Sequence, residues 1–238
     1  MARRIRLGWL GPLIVAIGTA IAGLGLWVMM KNKPTPGPVV DEIRIDSKAT
    51  IKVRAEASGD RSFIELYVDG DLKWQALVPP YAGRPGVSGI AWSEKVVSVR
   101  VVRDHRAEVF ALAMHDASKL GGIHLAPDKG PVLREMVGPL TLSDHVRSYE
   151  LVSGEGWNRL VAIGLDLGKI LWKVELASGP IESAGIEPGF VWVQQAGAKR
   201  WFNVFTGTED RTVERIGVPP PEGLPPAGPG TPDADKPL

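Results

Sequence analysis

The feature that most limits what this chain can become is a period-two alternation of apolar and polar residues. Ile43 and Ile45 alternate with Arg44 and Asp46, and Ile51, Val53 and Ala55 with Lys52, Arg54 and Glu56. Ile64, Leu66 and Val68 alternate with Glu65 and Tyr67, and Val97, Val99 and Val101 with Ser98 and Arg100. Side chains of an extended strand point to opposite faces in turn, so this pattern makes half-buried strands of an antiparallel sheet. Asp69-Gly70 separates two such runs and suits the positive φ angles of a tight hairpin turn. "RDHRAE", Arg103 to Glu108, reads as a polar connection between two more strands.

Residues 116–216 are strand-rich as well. Tyr149–Val152, Leu160–Leu165, Ile170–Leu176, Phe190–Val193 and Trp201–Phe205 are the apolar runs. The expected fold class is therefore mainly β.

Leu7 to Met30, "LGWLGPLIVAIGTAIAGLGLWVMM", is 24 residues without a charge. A helix of that length rises ~36 Å, enough for a ~30 Å hydrocarbon layer. Trp9 and Trp27 stand near its ends, where interfacial indoles are favoured. The span reads as an N-terminal transmembrane anchor. "AIA" at residues 20–22 leaves open a cleaved signal peptide. Arg3, Arg4 and Arg6 precede the span and Lys31 and Lys33 follow it, which favours the N-terminus in the cytoplasm. The expected location is the cytoplasmic (inner) membrane, single-pass, with the bulk extracytoplasmic or periplasmic.

Residues 31–40, "KNKPTPGPVV", are expected to form a stiff Pro-rich linker. Residues 217–238 carry eight prolines in 22 residues and lack core-forming side chains, so they read as a disordered Pro-rich tail.

Composition excludes several functions. Without Arg3, Arg4 and Arg6, 28 − 3 = 25 basic residues face 27 acidic ones, which leaves no electrostatic footprint for nucleic acid. The absence of cysteine removes disulfides, thiol catalysis and thiolate metal sites. There is no phosphate loop, HExxH helix or GxSxG elbow. Ser143-Asp144-His145 has the letters of a triad, but strand neighbours diverge. His105, His115, His124 and His145 show no ligand spacing. No catalytic residue, metal site or cofactor is assigned.

Two resemblances add to this reading. "IKVRAEASGDRSFIELYVDGDLKW", with Asp69, Gly70 and Trp74, then "PPY" ending at Tyr81, then Trp92 and "VSVRVVRDHRAEVFALA", resembles a bacterial Ig-like domain. About seven short strands over 41–115 suit that sandwich. The resemblance implies a binding or spacer module outside the cytoplasm. "AIGLDLGKILW", with Ala162, Gly168 and Trp172, resembles the tryptophan-docking repeat of quinoprotein-like (PQQ-type) β-propellers. Gly164 and Leu167 depart from the Asp and Thr of that repeat. "WFNVFTGTEDR" is a weaker second copy, with Arg211 where tryptophan belongs. The resemblance implies a hairpin glycine and a tryptophan packed on the next blade.

The expected organisation is thus an N-terminus (1–6), anchor (7–30), linker (31–40), Ig-like β-sandwich (41–115), partial propeller-like antiparallel module (116–216) and tail (217–238). The alternative is one irregular propeller-like domain over 41–216, with Gly70 also marking a blade.

The expected function is non-catalytic: a membrane-anchored binding or scaffold protein of the cell envelope. It meets the lipid bilayer through 7–30 and a protein partner or cell-wall glycan through its β surfaces. Trp157, Asn158 and Arg159, in "GEGWNR", are the candidate partner-binding residues. An accessory or assembly subunit of a larger membrane complex is one alternative, and an envelope enzyme with an unrecognised site is another.

Overall fold

A computed structural model describes residue 19 and residues 33–83, 88–103, 106–132 and 141–210. The expected anchor, with Trp9 and Trp27, lies outside the described residues apart from Thr19, as do residues 1–6 and the tail. Among the described residues, no helix is long and apolar enough to cross a membrane. The chain divides into two compact units at residues 85/86.

Among the described residues, the first unit holds one sheet. Strands β1 (Pro36–Arg44), β2 (Ala49–Glu56), β3 (Ser62–Val68) and β4 (Asp71–Val78) pair in sequence order. The alternation sorts its faces as expected: Ile51, Val53, Ile64 and Leu66 are buried. On the opposite face Glu65 is also buried, and its carboxylate accepts hydrogen bonds from Arg54 Nε (3.0 Å), Tyr67 Oη (3.0 Å) and Gln75 Nε2 (2.7 Å). That satisfies a group whose burial is otherwise costly.

Among the described residues, the second unit holds three sheets. The first is β5 (Ile90–Trp92), β6 (Val96–Arg103), β7 (Arg106–Ala113) and β8 (Lys119–His124). Next come β9 (Thr141–Ser143), β10 (Arg147–Gly154), β11 (Trp157–Gly164) and β12 (Lys169–Leu176). The last is β13 (Ile181–Glu187), β14 (Phe190–Gln195) and β15 (Ala198–Asn203). Among the described strands, pairing is antiparallel between chain neighbours, the meander of a propeller blade.

These sheets of the second unit stack on one another. Ala107 and Val109 of β7 pack with Val152, Val161 and Ile163 of β10 and β11. Tyr149, Leu151, Leu160 and Trp172 pack with Val191, Val193 and Phe202 of the last sheet. A buried ion pair, Arg100 with Glu150 at 3.3 Å, joins β6 to β10, and Thr141 Oγ1 donates to the same carboxylate at 2.7 Å.

Three expectations change. The Ig-like sandwich over 41–115 is replaced by two consecutive meanders, because each strand closes a short hairpin with its successor. Residue 115, the expected module boundary, lies in the β7–β8 turn, within one sheet. Residues 36–40, expected in the stiff Pro-rich linker, begin β1. Proline is tolerated there because β1 is an edge strand. At Gly37 an added Cβ would lie 2.9 Å from the Ala55 carbonyl oxygen, so the backbones approach only with glycine.

The two Gly…Trp hairpins share their glycine-to-tryptophan spacing and differ in their turns. Asp69 (φ 53°) and Gly70 (φ 86°) form a two-residue turn with both angles positive. At Gly168 (φ 59°) the amide instead donates to the Gly164 carbonyl at 2.9 Å, a four-residue span. Ala117 to Ala113 (2.9 Å) and Gly207 to Asn203 (2.8 Å) repeat that second geometry. Trp74 pairs with Leu66 and Trp172 with Ala162, each beside a register shift.

Candidate functional site

The candidate triplet starts at the β10–β11 hairpin. The Trp157 ring lies over Gly154, where any Cβ would overlap the indole, and Lys129 Nζ stands 5.9 Å from the ring. Trp157 is half-buried against the core between the first two sheets of the second unit.

Asn158 and Arg159 turn inward. Asn158 Nδ2 donates to the carbonyls of Ala177 (2.8 Å) and Gly179 (2.7 Å), and its Oδ1 accepts from Ser153 Oγ. These bonds tie the β12–β13 connection to the hairpin. Arg159 is buried, and its guanidinium binds both Asp128 oxygens (2.8 and 3.0 Å) and Glu175 (Nε, 2.7 Å). The Arg159 hydrogen bonds hold the Asp128 carboxyl well below its usual range, and Asp128 in turn raises the Arg159 pKa. Of the three, only Trp157 leaves ring surface outside.

Ser143, Asp144 and His145 do not converge. The Asp144 carboxylate accepts from the Val146 and Arg147 amides (3.0 and 2.6 Å), Arg147 Nη1 (3.0 Å) and Tyr149 Oη (2.9 Å). Burial pushes this carboxyl up, and those hydrogen bonds outweigh it and hold it low. The Ser143 hydroxyl donates to the Arg147 carbonyl at 3.1 Å, and the His145 ring lies 5.0 Å from that of Trp92. The set caps a turn. Among the described residues no group of three metal-ligating side chains forms.

Of the other singled-out residues, Tyr81 Oη donates to Asp41 Oδ2 at 2.6 Å, and Trp74 and Trp172 are buried. Trp192 and Trp201 sit half-buried on the outer face of the last sheet. Their centroids are 6.3 Å apart, with Lys199 Nζ at 3.8 and 4.2 Å from the two rings. Gly185 lies under Trp192, since a Cβ there would come within 2.6 Å of the indole.

The sequence reading missed a group of exposed apolar side chains on adjoining turns. Val146 (63% exposed), Leu167 (64%) and Phe205 (68%) crown three turns, and Ile170 and Leu171 lie beside Leu167. The turns adjoin. Leu165 N donates to the Val146 carbonyl at 3.0 Å, Arg147 Cζ stands 4.5 Å from the Phe205 ring, and Leu167 and Leu171 converge over Gly164. These residues come from three separated segments, so no window of sequence displays them together.

No protein-family model matches the chain, and no curated protein does. Among solved structures, the computationally designed Ika4 protein is similar at 11% identity over 72% of this chain and 94% of that one, with a TM-score of 0.46. Kluyveromyces lactis Hsv2 with its loop 6CD replaced gives 11% identity over 73% and 52%, with a TM-score of 0.47. A subtype N10 neuraminidase-like protein of A/little yellow-shouldered bat/Guatemala gives 11% identity and a TM-score of 0.44, over 74% of this chain and 60% of that one. The chain spans about half of the designed Ika8 protein, 49%.

Proposed function

We propose that the protein is a membrane-anchored binding protein of the cell envelope. Residues 7–30 hold it in the cytoplasmic membrane with its bulk outside the cytoplasm, and its β-sheet turns engage a protein partner. The apolar surface of Val146, Leu167, Ile170, Leu171 and Phe205 carries this reading. Exposed hydrophobic side chains gathered on adjoining turns of a folded domain mark contact surfaces. A protein suits it better than a glycan. The surface is aliphatic with one phenyl ring, whereas a sugar needs hydrogen-bonding groups beside a bare ring face, and one face of Trp157 is covered by Gly154. The same contact would serve an accessory subunit of a larger membrane complex.

The test is photo-crosslinking in cells from a benzophenone amino acid at position 167. The expected result is one dominant protein adduct, absent when the probe is at position 73 and lost when Phe205→Asp is added. Adducts no different from those at position 73 would overturn the reading.

A further inference from the structure

Two indoles on the outer face of the last sheet hold a cation between them. Val191, Val193 and Phe202 are buried against the preceding sheet, so alternation turns Trp192 and Trp201 outward. The two are direct cross-strand partners on β14 and β15, and Gly185 of β13 pairs with Trp192 on its other side. A Cβ at Gly185 would come within 2.6 Å of the Trp192 ring, so that indole lies down over β13 with its other face turned away from the sheet.

The ring centroids stand 6.3 Å apart and the planes meet at 53°, which makes an open wedge. Phe190 braces Trp201 edge-on, at 6.4 Å and 90°. Lys199 Nζ sits in the wedge, 3.8 Å from the Trp192 centroid and 4.2 Å from that of Trp201. Glu187 Oε1 lies 3.5 Å from the same ammonium. The wedge thus combines two π faces and a carboxylate, all three of which attract positive charge.

Lys199 is a loose occupant. Its 3.5 Å contact with Glu187 is long against the ~2.8 Å of a charge-assisted hydrogen bond. The two side chains are 35% and 50% exposed, a setting in which an ion pair contributes little. A primary ammonium is also compact and strongly hydrated, and the indole faces give its N–H groups no oxygen to bond. A quaternary ammonium has no N–H to satisfy, and its methyl groups leave water readily, while the rings and Glu187 attract its charge equally.

We propose that the Trp192–Trp201 wedge binds a quaternary ammonium group, carried by a small soluble compound of the choline type or by a phosphocholine headgroup, which displaces Lys199. Trp192 and Trp201 supply the π faces, Glu187 the opposing charge, and Lys199 covers the site in the free protein. The assignment does not rest on the apolar turns that carry the proposed function.

The full chain in a nonionic detergent is titrated with choline and, separately, with dihexanoyl-phosphatidylcholine. The indole N–H resonances are followed by NMR, with those of Trp192 and Trp201 assigned from Trp192→Phe and Trp201→Phe. The expected result is a saturable shift of these two signals with at least one probe, while the buried Trp172 signal stays in place. Binding of the lipid alone assigns a headgroup site, binding of choline alone a site for a soluble compound, and binding of both a site for the ammonium group itself. Trp201→Ala, followed on the Trp192 signal, should bind about fivefold more weakly or worse, and Trp201→Phe, which keeps a π face, should retain part of the affinity. An unchanged thermal midpoint shows that the alanine variant is folded. Lys199→Ala, which empties the wedge, should bind at least as tightly as the parent. The uncharged carbon isostere of choline should bind about tenfold more weakly than choline or not at all. No binding of either probe, equal binding of the isostere, binding that Trp201→Ala leaves unchanged, or weaker binding in Lys199→Ala overturns the proposal.

Discussion

The indole Nε1 of Trp172 donates to the carbonyl of Val204 at 3.1 Å, and its ring lies on Gly207. The outer strand of one sheet is thereby fastened to the turn of the next. Gly207 is required twice over. Its φ of +71° disfavours any side chain, and a Cβ would stand 2.7 Å from the Trp172 ring. Gly207→Ala is expected to cost about 2–4 kcal/mol, from backbone strain plus overpacking. Trp172→Ala is expected to cost about 3–5 kcal/mol. Urea unfolding followed by circular dichroism checks both, and a change under ~0.5 kcal/mol in either would show that the sheets are not held there.

This contact shows what was legible in the sequence. Gly168 and Trp172, at the spacing of a docking repeat, announced a tryptophan packed on the next blade, and the structure places Trp172 on Gly207. Period-two alternation likewise located β2, β3 and β6, and the apolar runs of the second half located β10, β11 and β14. What alternation cannot express is which strand pairs with which. An Ig-like sandwich and two successive meanders share the same apolar positions, so Asp69-Gly70 and Trp92 fitted either. The inward turn of Asn158 and Arg159 was equally hidden, because their partners Ala177, Gly179, Asp128 and Glu175 lie 16 to 31 residues away.

The Arg159–Asp128 pair predicts an acid sensitivity. Hydrogen bonds from Arg159 depress the Asp128 pKa in the folded state, below the ~3.9 of an unfolded aspartate. Its contribution is then fully present above the unfolded value and lost as pH falls through the folded one. Unfolding midpoints measured from pH 6 to pH 2 should fall below about pH 4, and Asp128→Asn should flatten that fall. Identical pH profiles for the two proteins would refute the assignment.

The Arg100–Glu150 pair is enclosed, with the side chains only 3% and 1% exposed. Burial lowers the Arg100 pKa and raises that of Glu150, each opposed by the partner's charge. Removing one charge strands the other. Arg100→Met is expected to cost about 3–5 kcal/mol, and the double variant Arg100→Met/Glu150→Leu to recover much of it. A double-mutant cycle by urea unfolding measures the coupling, and additive losses would mean that the two charges do not interact.

The repeated turn yields a stabilising change. Ala117, Gly168 and Gly207 occupy the same position, with the amide bonded to the carbonyl four residues back and φ of 61°, 59° and 71°. Two of the three are glycine. Alanine at the third carries the steric penalty between Cβ and the following carbonyl that glycine avoids. Nothing in the turn needs the methyl group, since the turn closes through backbone bonds, Ala117 N to Ala113 O at 2.9 Å and Ala113 N to Ser118 O at 2.9 Å. Ala117→Gly should therefore raise stability by about 0.5–1 kcal/mol, the relief of strain exceeding the added freedom of the unfolded chain. Ala117→Val, branched at Cβ, should lower it by about 1 kcal/mol or more. Thermal midpoints of the three proteins give the order directly. A glycine variant less stable than the parent would mean that the chain entropy of position 117 outweighs its left-handed strain.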